Sequence, residues 1–140
     1  MKIASCIGLS LLLWGANALA AAAPAEGQKA VLVTGASTGI GRKVTERLAA
    51  DGHFVYAGAR KEKDLAELDA IENVQAIRLD VTKPAEIAAA VETITKAGRG
   101  LYGLVNNAGV AVTGPFMDTK EEDFDFVMDV NTYGPFRVTK

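Results

Sequence analysis

The sequence predicts an α/β protein, a doubly wound parallel sheet with helices on both faces. Short apolar runs rich in β-branched residues alternate with stretches of helical periodicity along most of the chain. The first of these runs opens directly into the glycine-rich turn Thr34-Gly35-Ala36-Ser37-Thr38-Gly39-Ile40-Gly41, which leads into a helical pattern. Strands and helices that alternate in this way form parallel sheets joined by right-handed crossovers.

Residues 29–33 read as the first buried strand. Ile40, Val44 and Leu48 recur every four residues and predict a helix over 42–51 with that stripe on its inner face. Residues 53–58 read as the second strand. A short helix follows over 64–71, with Leu65 and Leu68 spaced by three, and 74–79 read as the third strand. Thr82 is a suitable N-cap for the next helix, and Pro84 sits in its first turn, where a missing N–H costs little. Ile87, Ala90, Val91 and Ile94 trace that helix's apolar face, and Gly98 can end it. Residues 101–105 read as the fourth strand. Residues 120–140 read as helical, with Phe124, Val127 and Met128 on one face and a bend or interruption at Gly134-Pro135.

A length of 140 residues suits one domain, and 49% apolar residues suit a buried core. The formal charge of −2 is near balance, and no basic cluster points to nucleic acid. The first 28 residues form a separate zone. Lys2 is the only charge before Glu26, an apolar core spans 7–14, and Asn17-Ala18-Leu19-Ala20 ends it with small residues. This is the pattern of a secretory signal peptide over 1–23, cleaved after Ala20 or within the alanines that follow, and it predicts an exported protein. The competing reading is an uncleaved membrane anchor over 3–23; only in that case is membrane contact expected. Residues 24–28 read as a linker and 29–140 as the folded domain. Cys6, the single cysteine, lies in the leader, so the domain offers no disulfide, thiolate nucleophile or cysteine-ligated metal. No metal site is expected.

The chemistry concentrates at strand ends. A glycine turn between strand and helix lets the backbone approach a phosphate, and the N–H groups at the helix start point at the anion. In doubly wound sheets ligands bind beyond the strand C-termini, at the switch point. The turn after the fourth strand, Asn106-Asn107-Ala108-Gly109, belongs to the same region if the first and fourth strands are neighbours. His53, the single histidine, begins a strand at the other end of the sheet and reads as a structural residue.

The glycine spacing, G-x-x-x-G-x-G rather than G-x-G-x-x-G, resembles the T-G-x-x-x-G-I-G segment of the short-chain dehydrogenase/reductase family. Asn106-Asn107-Ala108-Gly109 is similar to the family's N-N-A-G segment. Asp129-Val130-Asn131-Thr132-Tyr133-Gly134 resembles the segment that holds the asparagine of its catalytic tetrad, which places Asn131 in that role, 24 residues after Asn107. Asp80-Val81 matches a D-V pair that contacts the adenine ring. The resemblance implies a Rossmann-type fold, with pyrophosphate held by Gly35, Ser37, Thr38, Gly39, Ile40 and Gly41. Asn107, Ala108 and Gly109 would border the adenosine and nicotinamide side of the cleft. Ala59 stands where NAD-preferring members carry Asp, and Arg60 matches the basic residue of NADP-preferring members, so NADP(H) is favoured over NAD(H). Arginine's planar guanidinium suits a 2′-phosphate, although the second basic residue of some NADP enzymes is replaced by Thr38.

The family's serine and its Tyr-x-x-x-Lys follow the asparagine segment and find no match within these 140 residues. Neither Tyr102 nor Tyr133 has Lys four residues on; Asn106 and Arg137 occupy those places. The resemblance therefore implies the cofactor-binding portion of an oxidoreductase acting on a small-molecule alcohol or carbonyl. The Rossmann-type sheet is expected to be truncated after about the fourth strand and its following helix, and a parent enzyme of this kind is expected to be a homo-oligomer. The alternative is a non-catalytic dinucleotide-binding module or a degenerate fragment. A fourth strand with one open edge also predicts marginal stability or aggregation of this polypeptide alone.

Overall fold

The computed structural model describes residues 27–140. The expected leader over 1–23 and the first part of the linker lie outside the described residues. Among the described residues no helix is long and apolar enough to cross a membrane.

Four strands form one parallel sheet in the order β3-β2-β1-β4, where β1 is Ala30–Val33, β2 Phe54–Ala59, β3 Val74–Arg78 and β4 Gly103–Val105. The pairing Val31↔Gly103, Leu32↔Leu104 and Val33↔Val105 makes β1 and β4 neighbours, the condition that brings the Asn106–Gly109 turn beside the glycine turn. The helices α1 (Gly39–Ala50), α2 (Glu62–Asp69) and α3 (Pro84–Lys96) fill the three crossovers. After β4 come a 3-10 turn at Phe116–Asp118, α4 (Glu121–Met128), a π-helical turn at Asp129–Tyr133, and α5 (Gly134–Thr139).

The sheet divides the core in two because successive strand residues face opposite sides. Val31, Val33, Val55 and Ala57 pack with Val44 and Leu48 of α1 and with Leu65 and Leu68 of α2. Leu32, Tyr56, Ile77 and Leu79 pack on the other face with Ile87, Ala90 and Ile94 of α3 and with Val138 of α5. β1 is buried along its whole length, which is why it reads as a continuous apolar run rather than an alternating one.

Three local expectations are corrected. Ile40 does not join the inner stripe of α1 but is 76% exposed. α1 begins at Gly39, so Ile40 lies in its first turn, ahead of the stretch from Val44 onward that packs on the sheet. Thr82 does not cap α3; Lys83 holds the cap position without a side-chain bond. Thr82 lies one residue before the cap and is held in a turn instead, its hydroxyl and N–H both donating to Asp80 Oδ1, at 2.7 and 3.0 Å. The last helix departs from α geometry before Gly134-Pro135, widening into the π turn from Asp129 onward. Pro135 has no N–H to return to the preceding turn, and the chain restarts as α5 with proline in its first turn. Arg137 spans the irregularity, donating to Asp129 Oδ1 at 2.6 Å.

Candidate functional site

The C-terminal ends of all four strands surround one cleft of about 260 Å³. The turn after β1 contributes Gly35, Ser37 and Thr38, and the end of β2 contributes Gly58, Ala59 and Arg60. β3 leads to Leu79, Asp80 and Val81, and the segment after β4 supplies Asn107, Ala108, Gly109 and Val110. Val130, from the π turn, closes one side.

Thr34 ties two of these segments together. It is 1% exposed, and its hydroxyl accepts from the backbone N–H groups of Asn107 and Ala108, both at 3.0 Å. Asn107 answers by donating its amide to the Thr34 and Gly35 carbonyls, each at 3.0 Å. The glycine turn and the Asn107 segment are thus one hydrogen-bonded unit.

The glycines have separate reasons. Gly35 has φ +65°, and a Cβ there would stand 2.7 Å from Ala108 Cα. A Cβ on Gly41 would fall on the Gly35 carbonyl. Gly39 has φ +57° with open space around the place a Cβ would occupy. Thr38 holds the cap position of α1 without spending its side chain on the helix. The first N–H groups of a helix have no intrahelical partner, so the turn meets the requirements of an anion cradle: open space, donors and the positive end of a helix dipole. A pyrophosphate fits this chemistry.

Gly41, Gly39 and Ile40 do not line the cleft itself. Gly41 is buried beneath the turn, while Gly39 and Ile40 sit on the outer surface of the first turn of α1. Asn131 also stands back from the wall. Its side chain clasps the loop after β4, with Oδ1 accepting from Val110 N–H at 2.9 Å and Nδ2 donating to the Val110 carbonyl at 2.8 Å.

Arg60 and Asp80 face each other across the adjacent ends of β2 and β3, with Nη1 4.0 Å from Oδ2. Burial pushes the Asp80 carboxyl up, but the Thr82 N–H and hydroxyl bonds, with Arg60 and Lys83 nearby, hold it below its ordinary value. Asp80 is therefore an anionic acceptor on the wall, beside an exposed cation. His53 precedes β2 at the end opposite the cleft, half-buried. Among the described residues no group of three or more His, Cys, Asp or Glu side chains could hold a metal ion.

Gly58, Leu79 and Val110 are site residues that sequence reasoning did not single out, and it reads Thr34 and Val130 only as members of their motifs. Gly58 carried a legible signal, as a glycine inside a buried strand pattern. A Cβ there would press to 3.0 Å from Leu79 Cδ2, so its absence lets β2 and the end of β3 close together.

The profile of the short chain dehydrogenase family matches residues 29–140. The chain belongs to that family. It is 36% identical over 136 residues to D-beta-hydroxybutyrate dehydrogenase, mitochondrial, of Bos taurus, a match covering 90% of this chain and 40% of that protein. It is similar in structure to 3-ketoacyl-(acyl-carrier-protein) reductase from Brucella melitensis, solved with NADH, at a TM-score of 0.74 and 31% identity, covering 79% of this chain and 47% of that one. It is also similar to a variant of actinorhodin polyketide ketoreductase solved with NADPH, at a TM-score of 0.76 and 32% identity, covering 80% of this chain and 45% of that one. The chain spans less than half the length of each of these three proteins, and the match to the family profile, over 29–140, includes all four strand ends that form the cleft.

Proposed function

We propose that this chain holds the dinucleotide of an oxidoreductase that moves a hydride between NADP(H) and an alcohol/carbonyl pair. The observation that carries the reading is the convergence on one cleft of the uncapped α1 N-terminus, the Gly35 turn locked to Asn107, and Arg60 with Ala59 at the end of β2. The relatives add weight, since they include a hydroxy-acid dehydrogenase and two ketone-reducing enzymes.

The roles follow the positions. Backbone N–H groups at Ser37 and Thr38, the part of the turn that lines the cleft, would bind the pyrophosphate, with the positive end of the α1 dipole behind them. Asp80 and Val81 would border the adenine, and Asn107, Ala108 and Gly109 would line the path towards the nicotinamide. Ala59 offers no carboxylate to a ribose 2′-hydroxyl, whereas Arg60 offers a planar cation to a 2′-phosphate. When bound, the cofactor supplies the hydride chemistry. Asn131 would serve the proton path from a position fixed by its two bonds to Val110. The leader pattern over 1–23 supports an exported setting in this reading.

Titration of the chain with NADP⁺ and NAD⁺ by calorimetry tests the proposal. NADP⁺ is expected to bind about tenfold or more tightly, the worth of one charge-assisted hydrogen bond, and Arg60→Gln should bring the two together. Equal affinities in the unaltered chain would sink the NADP(H) preference, and binding of neither would sink the cofactor reading itself.

A further inference from the structure

Arg60 must present its guanidinium from the first position after β2, in a segment with little support of its own. Lys61 caps α2 without a side-chain bond, and the first N–H that returns to this segment, from Leu65, goes to the Lys61 carbonyl rather than to Arg60. The Arg60 carbonyl is instead taken by a side chain from another strand. Arg78 Nη1 donates to it at 2.6 Å, and the same guanidinium uses Nη2 to bind Glu62, in the first turn of α2. Arg78 is the last residue of β3 and pairs in register with Ala59, so its position is set by the sheet. The bond from Leu79 N–H to the Ala59 carbonyl, at 2.9 Å, fixes that register one residue further on.

We propose that Arg78 is a positioning residue for recognition of the ribose 2′-phosphate: it pins the Arg60 backbone and the start of α2 together, so that the Arg60 guanidinium leaves from a fixed point on the cleft rim. The inference rests on the NADP(H) reading above. Arg78 itself does not line the cleft, and acts only through Arg60. One planar fork satisfies two acceptors, a carbonyl and a carboxylate, in a geometry that an ammonium group cannot reproduce. Without this tie Arg60 would have to be ordered when the phosphate binds, and affinity would fall by that ordering cost. Asp80, 4.0 Å from Arg60, would then compete more freely for its guanidinium.

The test uses adenosine 2′,5′-bisphosphate and adenosine 5′-monophosphate as probes, titrated calorimetrically into the full chain and into the variants Arg60→Gln, Arg78→Lys and Arg78→Gln. Thermal melts are run beside each titration. The unaltered chain should prefer the bisphosphate, and Arg60→Gln should abolish that preference. Both Arg78 variants should reduce the preference about 3- to 10-fold, the range for losing one hydrogen bond, with monophosphate affinity unchanged. Arg78→Lys keeps the charge, so a preference it retains at the unaltered level means that only the charge mattered and overturns the positioning role. Equal weakening of both probes with a lowered Tm reduces Arg78 to a structural residue and also overturns it. Loss of preference in Arg60→Gln alone overturns this inference and leaves the NADP(H) reading standing. An unaltered chain with no preference overturns both.

Discussion

At the residue scale the cleft depends on very short distances that only particular side chains allow. Gly35→Ala places a methyl group 2.7 Å from Ala108 Cα on a left-handed backbone. It should abolish dinucleotide binding and lower the Tm, both measurable on purified protein; a variant that still binds would show that the turn can open without loss. Thr34→Val keeps the shape but removes the acceptor for two N–H groups, each costing about 1–3 kcal/mol if left unsatisfied. Chemical denaturation should show the loss, and nucleotide affinity should fall with it because Asn107 is no longer held. Asp80 sets a pH dependence. Its folded carboxyl is held below its ordinary value of 3.8, so its contribution to stability is complete above that value and is lost as pH falls through the lower folded value. Asp80→Asn should flatten stability against pH in that acid window and leave neutral pH behaviour the same in slope.

At the element scale, what matters is how helices are carried onto strand ends. α2 is anchored by Leu68, which is fully buried against the sheet. Leu68→Ala should destabilise by about 2–5 kcal/mol, as a large core residue cut to a methyl group, and should loosen the segment that carries Arg60. The π turn and α5 come close to the cleft because Gly134 has no side chain. A Cβ there would stand 2.7 Å from Val81 Cγ2. Gly134→Ala should push Val130 and Asn131 away from the Val81 and Val110 side, which hydrogen exchange at the Val110 amide would report as faster exchange. An unchanged rate would mean that the Asn131 clasp absorbs the shift. The helix interruption was legible in Gly134-Pro135, but its start at Asp129 was not, because the arginine that bridges it lies eight residues downstream.

At the scale of the whole molecule, β4 is three residues long and, among the described residues, pairs on one side only, with β1. The segment after it exposes large apolar groups: Phe116 is 81% exposed, Met117 90% and Phe136 63%. An open strand edge beside such a surface favours self-association. Light scattering of the 140-residue polypeptide should give a mass that rises with concentration, and its melt should be broad. A sharp cooperative melt from a monomer would refute this.

The sequence by itself determined the order of elements, the parallel sheet and the glycine turn, because periodicity and turn residues act over short stretches of chain. Likeness to the family's motifs also marked Asn106–Gly109, Asp80 and Arg60, all at or just beyond strand ends. Tertiary structure decided what those segments touch. Thr34 reads only as the first residue of the glycine turn until Asn107, 73 residues away, is brought against its hydroxyl. Ile40 fits the helical stripe by spacing, yet it falls ahead of the part of α1 that packs on the sheet. Asn131 reads as a site residue from its motif, and only the fold shows that both ends of its amide hold Val110. Arg78 reads as an ordinary strand-end charge, and the register of β3 on β2 is what carries it to the Arg60 carbonyl. Local pattern is written in neighbouring residues, whereas hydrogen-bond partners far apart in the chain exist only after the sheet has set the register.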